Sequence, residues 1–230
     1  MALRISLIIP VFNEQDAIQN VLHDLPRGLL TEIIVVDNGS TDRTAQLARD
    51  SGARVVEEPR KGYGSACLAG IAAVDAPDIV AFLDGDYSDF PGELSDVVRP
   101  ILEGRADLVI GSRVLGECEP GALLPQARFG NWLATLLIEA LFGVHFTDLG
   151  PFRAVTARAL EAMRMNDQTF GWTVEMQVKA ALLQLRVTEV PTRYRRRIGV
   201  SKITGTLQGT IRAGYKILFT IFKYAAHPTL

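Results

Sequence analysis

The chain is short of the residues that mark several common protein classes. Its two cysteines, Cys67 and Cys118, have no metal-type spacing, which argues against a zinc-stapled or disulfide-framed fold and suits a pair of reduced thiols. His23, His145 and His227 show no ligand spacing either. No stretch reaches the ~18 uninterrupted apolar residues of a spanning helix. Leu133 to Phe146, broken by Thr135, Glu139 and His145, and Ile217 to Phe222, broken by Thr220, could at most lie in an interface. Met1 to Pro10 reads as a strand without a cleavage site, so no signal peptide is expected. An excess of one charge is missing too, since 24 Lys and Arg face 26 Asp and Glu for a net −2, and this disfavours a nucleic-acid binder. No Gly-x-Gly-x-x-Gly follows the first strand, which disfavours a dinucleotide-dependent dehydrogenase. Repeats and low-complexity linkers are absent, which favours one compact domain.

What is present is an ordinary globular composition: 230 residues, 48% hydrophobic and 22% charged. Short apolar runs predict strands at Ile5–Ile9, Glu32–Val36, Arg54–Glu57 and Ile79–Leu83. Between them, periodic stretches predict helices over Glu14–Leu25, Arg43–Ser51 (capped by Ser40 or Thr41) and Ser65–Val74. Alternating buried runs and helices imply βαβ units and a mostly parallel sheet. Further on come a helix over Gly92–Glu103, a strand over Leu108–Ile110 and an irregular Gly- and Pro-rich segment near Val114–Pro125. An apolar helical stretch from Phe129, a strand near Phe152–Val155, helices near Ala157–Met163 and Thr173–Leu185, and a strand over Val187–Val190 follow. A final helix is expected over about Thr204–Tyr224.

Charge is unevenly placed. From Arg186 onward the basic residues Arg193, Arg195, Arg196, Arg197, Lys202, Arg212, Lys216 and Lys223 join Arg186, opposed only by Glu189. A basic end on an acidic chain suits an anionic partner such as a phosphate, pyrophosphate or lipid headgroup.

The strongest chemical signal is Asp84-Gly85-Asp86, directly after a buried strand. Ligands of open α/β sheets sit at the carboxyl ends of strands, and paired carboxylates there offer hard oxygens to Mg²⁺ or Mn²⁺. An acidic turn capping the helix after Pro91 is the bland alternative. Two other strand ends supply neighbours, Pro10-Val11-Phe12-Asn13-Glu14 and Val36-Asp37-Asn38-Gly39-Ser40-Thr41-Asp42-Arg43-Thr44.

These three segments in this order resemble family 2 of the glycosyltransferases, and the resemblance covers essentially the whole chain. It implies a GT-A fold: a Rossmann-like, nucleotide-sugar-binding α/β domain with a mostly parallel sheet, here followed by a C-terminal amphipathic helix. It further implies a domain over 1–202, with a nucleotide and metal half (1–112) and an acceptor half (113–202), and a tail over 203–230. By resemblance, Pro10, Phe12, Glu14 and Val36 line the nucleoside pocket, with Asp37 or Asn38 on the base or ribose. Lys61, in Arg60-Lys61-Gly62-Tyr63-Gly64, belongs to a loop closing over the nucleotide. Asp84, Gly85 and Asp86 match the metal motif; Ser88 stands where relatives often have Gln or His, with Asp89 as its rival.

The second half resembles the dolichyl- and polyprenyl-phosphate sugar synthase branch. In it Arg113 of Gly111-Ser112-Arg113 faces the acceptor phosphate, and Arg128 is similarly placed. Asp148 is the fallback base for a hydroxyl acceptor, or a turn cap. Arg195 to Lys202 resembles a loop that folds over the donor pyrophosphate, the closest register giving Arg196 and Lys202. The expected reaction is an inverting transfer of a hexose from a UDP- or GDP-sugar to a polyprenyl phosphate. The alternatives are a hydroxyl acceptor on the same fold and a silent nucleotide-sugar- or lipid-binding module. In the last helix Leu207, Ile211, Tyr215, Leu218 and Phe222 fall on one face, and Gln208, Arg212, Lys216 and Lys223 on another. That pattern suits a peripheral contact with the cytoplasmic face of a membrane; packing on its own domain or on a second copy is the other outcome.

Overall fold

The computed structural model describes residues 3–199 and 207–228. Its strands are β1 (Ile5–Val11), β2 (Glu32–Asp37), β3 (Arg54–Glu57), β4 (Ile79–Phe82), β5 (Leu108–Ser112), β6 (Arg153–Thr156) and β7 (Val187–Pro191). They form one seven-stranded sheet in the order β3-β2-β1-β4-β6-β5-β7. β2, β1 and β4 are joined by parallel pairing, as are β2 with β3 and β5 with β7. β6 is antiparallel to both β4 and β5. The sheet is therefore mostly parallel, and β1 and β4 flank the point where strand order reverses, the usual place for a ligand crevice.

The strands read as unbroken apolar runs because both faces are covered. Successive side chains point to opposite faces. Ile8, Ile34, Val36, Val80, Phe82, Leu108 and Ile110 enter one core, beneath α3 (Tyr63–Ala73), α5 (Pro125–Phe142), α6 (Ala157–Met163), α7 (Trp172–Leu182) and α8 (Leu207–Ala226). Leu7, Ile9, Val35, Ala81, Leu83 and Val109 enter the other, beneath α1 (Ile18–His23), α2 (Thr44–Asp50) and α4 (Leu94–Leu102). Each fully buried aliphatic side chain stabilises the fold by roughly 1.5–3 kcal/mol. A one-residue slip would swap the faces, so burial fixes the register.

Several element ends differ from expectation, and hydrogen bonding explains them. α1 starts only at Ile18, because Asn13 adopts a left-handed φ of 54° and the Glu14 amide donates to Thr44 Oγ1 at 2.8 Å. Neither Ser40 nor Thr41 caps α2. Ser40 Oγ instead accepts from the Asn13 amide, and Asp42 Oδ1 accepts from the Thr44 amide at 2.9 Å. A 3-10 turn over Pro91–Glu93 precedes α4, and α5 begins at Pro125, before the apolar stretch. β5 runs on to Ser112, which delivers Arg113 to the sheet edge. α8 is joined to the first core through Ile221 and Tyr224. Residues 204–206, expected to open that helix, lie outside the described residues, as does Lys202.

Candidate active site

Because β1, β2 and β4 are parallel, the segments after Val11, Asp37 and Phe82 emerge at one edge. There Pro10, Val11, Phe12, Glu14, Asn38, Tyr63, Ala66, Asp84, Gly85, Asp86 and Arg197 line a single crevice. Gly85 is required by space, since a Cβ there would sit 2.5 Å from Val11 Cγ1. Seven residues expected from sequence meet here: Pro10, Phe12, Glu14, Asn38, Asp84, Gly85 and Asp86.

Others are placed differently. Val36 is fully buried in the core beneath α3. Asp37 turns its Oδ1 to the Ser40 amide at 3.0 Å. Asn38 is spent on its own chain, its Nδ2 donating to the carbonyls of Glu58 and Arg60 and its Oδ1 accepting from the Gly62 amide. Its side chain thus shapes the 58–62 loop. Lys61 Nζ reaches the carbonyls of Asn38 and Gly39 and lies 3.9 Å from the centre of the Phe12 ring.

The two aspartates differ electrostatically. Burial, reinforced by the Asp86 charge, pushes the Asp84 carboxyl up to about 7, while the Tyr63 hydroxyl donates to its Oδ1 at 3.1 Å. Asp86 is compensated by the Arg197 guanidinium, whose Nη1 lies 3.1 Å from Oδ2; Nη2 of the same group is 2.7 Å from Glu14 Oε1. Ser88 is fully buried and its hydroxyl donates to Asp86 Oδ1 at 2.5 Å, so it orients that carboxylate. Asp89 is buried with neither oxygen partnered among the described residues, and burial holds its carboxyl well above the usual range. Among the described residues no three His, Cys, Asp or Glu side chains are grouped to hold a metal. Two close carboxylates that repel each other nonetheless fit Mg²⁺ or Mn²⁺, which take one or two protein carboxylates and complete their shell with phosphate oxygens and water.

The basic C-terminal segment reaches the same crevice one residue out of the expected register. The Arg195 amide donates to Ser88 O and the Ile198 amide to Asp86 O, laying residues 195–198 along 86–88. Arg196 faces away, its Nε and Nη2 donating to Pro120 O at 2.9 and 2.7 Å. The arginine that meets the acidic groups, Asp86 and Glu14, is Arg197, not the Arg196 expected from sequence. Sequence reasoning also gave no role to Tyr63, a polar lining residue; its place at the start of α3, opposite the acidic turn, is the signal that could have found it.

Just past the end of β5, Arg113 and Asp148 form a closed pair. The Arg113 amide, Nε and Nη2 donate to the two Asp148 oxygens at 2.8, 2.7 and 2.6 Å, and Asp148 is fully buried. The 147–149 turn is held by Glu189, which accepts from the amides of Thr147 and Asp148, and by Asn131, which bonds Thr147 O and the Leu149 amide. Arg128 is exposed in the first turn of α5.

Comparison with known proteins bears on this arrangement. Residues 6–163 match the profile of glycosyl transferase family 2. An uncharacterised glycosyltransferase of Mycobacterium tuberculosis is 37% identical over 212 residues, covering 91% of this chain and 94% of its own. The dolichyl-phosphate hexose transferase of Haloferax volcanii is 33% identical over 203 residues, with 86% of each chain covered. Among solved structures, glucosyl-3-phosphoglycerate synthase from M. tuberculosis, in complex with Mn²⁺, UDP-glucose and phosphoglyceric acid, shares the fold. Its TM-score is 0.79 at 24% identity, over 99% of this chain and 81% of that one. The chain belongs to glycosyl transferase family 2, has the GT-A fold, and falls with the polyprenyl-phosphate sugar synthase-like members of that family.

Proposed function

We propose that the protein transfers a hexose, with inversion, from a UDP- or GDP-sugar to a polyprenyl phosphate, using a divalent cation. The observation that carries the acceptor reading is the Arg113–Asp148 pair. A hydroxyl acceptor needs a base to take its proton, whereas a phosphate attacks as an anion. Asp148 has both oxygens committed to Arg113 and no exposed surface, so it is poorly placed as a base. Arg113 Nη1 keeps no partner among the described residues, and with Arg128 it offers positive charge to an incoming phosphate.

On the donor side Pro10, Phe12 and Glu14 form the wall for the nucleoside, and Asp84 and Asp86 hold the cation. A bound Mg²⁺ or Mn²⁺ supplies charge neutralisation to the departing diphosphate. Arg197 is positioned to stabilise that same charge, exchanging Asp86 and Glu14 for phosphate oxygens as the bond breaks. The exposed apolar side chains Phe129, Trp132 and Leu136 of α5 and Ile211, Tyr215, Phe219 and Phe222 of α8, with Arg128, Arg212 and Lys223 exposed on the same helices, suit a peripheral contact with anionic lipid. No helix among the described residues is long and apolar enough to cross a membrane.

The test incubates the protein with UDP- and GDP-hexoses, Mg²⁺ or Mn²⁺, and either a short polyprenyl phosphate or 3-phosphoglycerate, and identifies products by mass spectrometry. A glycosylated lipid phosphate is the expected product. Transfer to the 3-phosphoglycerate hydroxyl alone would overturn the acceptor assignment.

A further inference from the structure

Outside the crevice, the most heavily used buried acceptor is Glu175, in the first turn of α7. It is fully buried, and its carboxylate accepts from the amides of Asn166 and Asp167 at 3.1 and 2.7 Å, from the Tyr224 hydroxyl at 2.7 Å, and pairs with Lys179 Nζ at 2.9 Å. The proposed reaction makes no use of it. Its partners nevertheless connect two distant parts of the molecule, α8 and the loop that opens α3.

Residues 166–169 are gripped by α8 at two points, through Tyr224 on Glu175 and through Lys216 Nζ on Asp167 Oδ2 at 2.7 Å. Asp167 Oδ1 meanwhile accepts from the Thr169 amide at 2.7 Å, which fixes the turn. On its far side the segment holds the start of α3. Gln168 O accepts from the Ser65 amide at 2.9 Å and from its hydroxyl at 3.2 Å, and Thr169 O accepts from the Gly64 amide at 3.2 Å. The approach is so close that a Cβ on Gly62 would lie 2.1 Å from Gln168 O, and one on Gly64 2.0 Å from Asp167 O. The same short stretch then enters the crevice, where the Gly62 amide bonds Asn38 Oδ1 and Tyr63 bonds Asp84.

We propose that Tyr224 and Lys216 of α8 are positioning residues for the donor crevice, acting through Glu175, Asp167 and the 166–169 segment on Gly62–Ser65. The inference rests on reading the crevice as the donor site, but the strut itself can be tested without that reading. Hydrogen bonds on both sides of the 166–169 segment join the two ends, and any such coupling is reciprocal by linkage: what steadies α8 steadies the Tyr63 loop, and a nucleotide in the crevice steadies α8. If α8 rests on lipid, the contact would raise donor affinity without touching the donor.

The experiment compares the full-length wild-type chain with Tyr224→Phe, Lys216→Met and Lys216→Arg. Lys179 still compensates Glu175 in Tyr224→Phe, so that variant keeps its buried charge paired. Amide hydrogen exchange is read at Gly64 and Ser65 and, for reference, at Ile8 and Val35 in the central strands. Affinities for UDP and GDP, each with Mn²⁺, are measured by calorimetry. The expected result is exchange about tenfold faster at Gly64 and Ser65 in the Phe and Met variants, central strands unchanged, and affinity for the bound nucleotide weakened about fivefold, the low end of ordinary site-to-site coupling. Lys216→Arg should restore both. Unchanged exchange at Gly64 and Ser65, or acceleration spread equally over Ile8 and Val35, would overturn the proposal. Faster exchange at an unaltered nucleotide affinity would overturn the positioning role. Wild-type protein that binds neither nucleotide would sink the donor-site reading instead, leaving exchange to judge the strut.

Discussion

The stretch from Tyr194 to Ile198 lies extended against the acidic turn, and in extended backbone successive side chains point to opposite sides. Arg195 therefore stacks on the rings of Tyr87 and Phe90 and bonds Tyr87 O, Arg196 turns out to Pro120 O, and Arg197 turns in to Glu14 and Asp86. The sequence shows three consecutive arginines and the chemistry they suit, but the side each takes depends on the pairing of Asp89 with Tyr194, which no local pattern reveals. Arg197→Ala should lower kcat by about 10²–10³, the usual cost of losing one donor to developing charge, while Arg196→Ala leaves kcat near wild type. Steady-state kinetics on the two variants checks the assignment, and the reverse order would return the role to Arg196. Asp86→Ala should abolish transfer while leaving the circular dichroism spectrum and melting midpoint close to wild type. The paired aspartates were legible because they follow a buried strand; the spending of Asn38 on the 58–62 loop was not, because it depends on a turn shape fixed only in three dimensions.

At the scale of elements, the unbroken apolar runs predicted the strands well, and burial on both faces is why they did. Helix ends were less legible, because the polar groups near them had partners on other elements: Ser40 serves the Asn13 amide rather than its own helix. β6 shows the same limit. Its residues read as a strand, but its direction is set by the chain returning between β4 and β5. The parallel pairing of β5 with β7 begins at a side-chain clamp, where Asp107 accepts from the Arg186 amide at 3.0 Å and from Nη2 at 2.8 Å. The hydrogen bond from Arg186 holds the Asp107 carboxyl below its ordinary value. A depressed folded-state value means the clamp stabilises the fold above the unfolded value of about 3.9, and this contribution is lost as pH falls through the lower, folded value. Asp107→Asn should therefore flatten the acid limb of a melting-temperature profile below about pH 4. A limb as steep as in wild type would assign the acid sensitivity elsewhere.

For the whole molecule, the pattern of α8 showed an amphipathic helix but not which part of its apolar face would stay uncovered. Ile221 and Tyr224 are buried against the first core, whereas Ile211, Tyr215, Phe219 and Phe222 remain exposed, and α5 adds Phe129 and Trp132. Leu218, expected on the same face as Ile211, Tyr215 and Phe222, is half-buried, and Phe219 is exposed beside them instead. Sedimentation with vesicles containing anionic lipid should pull the protein down. Phe129→Ser with Trp132→Ser should weaken that binding by about a hundredfold or more, since each buried large aromatic contributes roughly 1.5–3 kcal/mol, and raised salt should weaken it further. Recovery of the double variant equal to wild type would move the lipid contact off α5.

The insertion of β6 has a consequence for synthesis on the ribosome. β4 emerges with one side taken by β1, but its other neighbour is not made until residue 156 has been added. At about 5–20 residues per second that edge stays bare for several seconds, and an unpaired apolar strand is a template for other chains. A newborn molecule is thus most vulnerable to aggregation while the chain between β4 and β6 is still being translated, and pauses within codons 83 to 152 should cost more soluble product than pauses later.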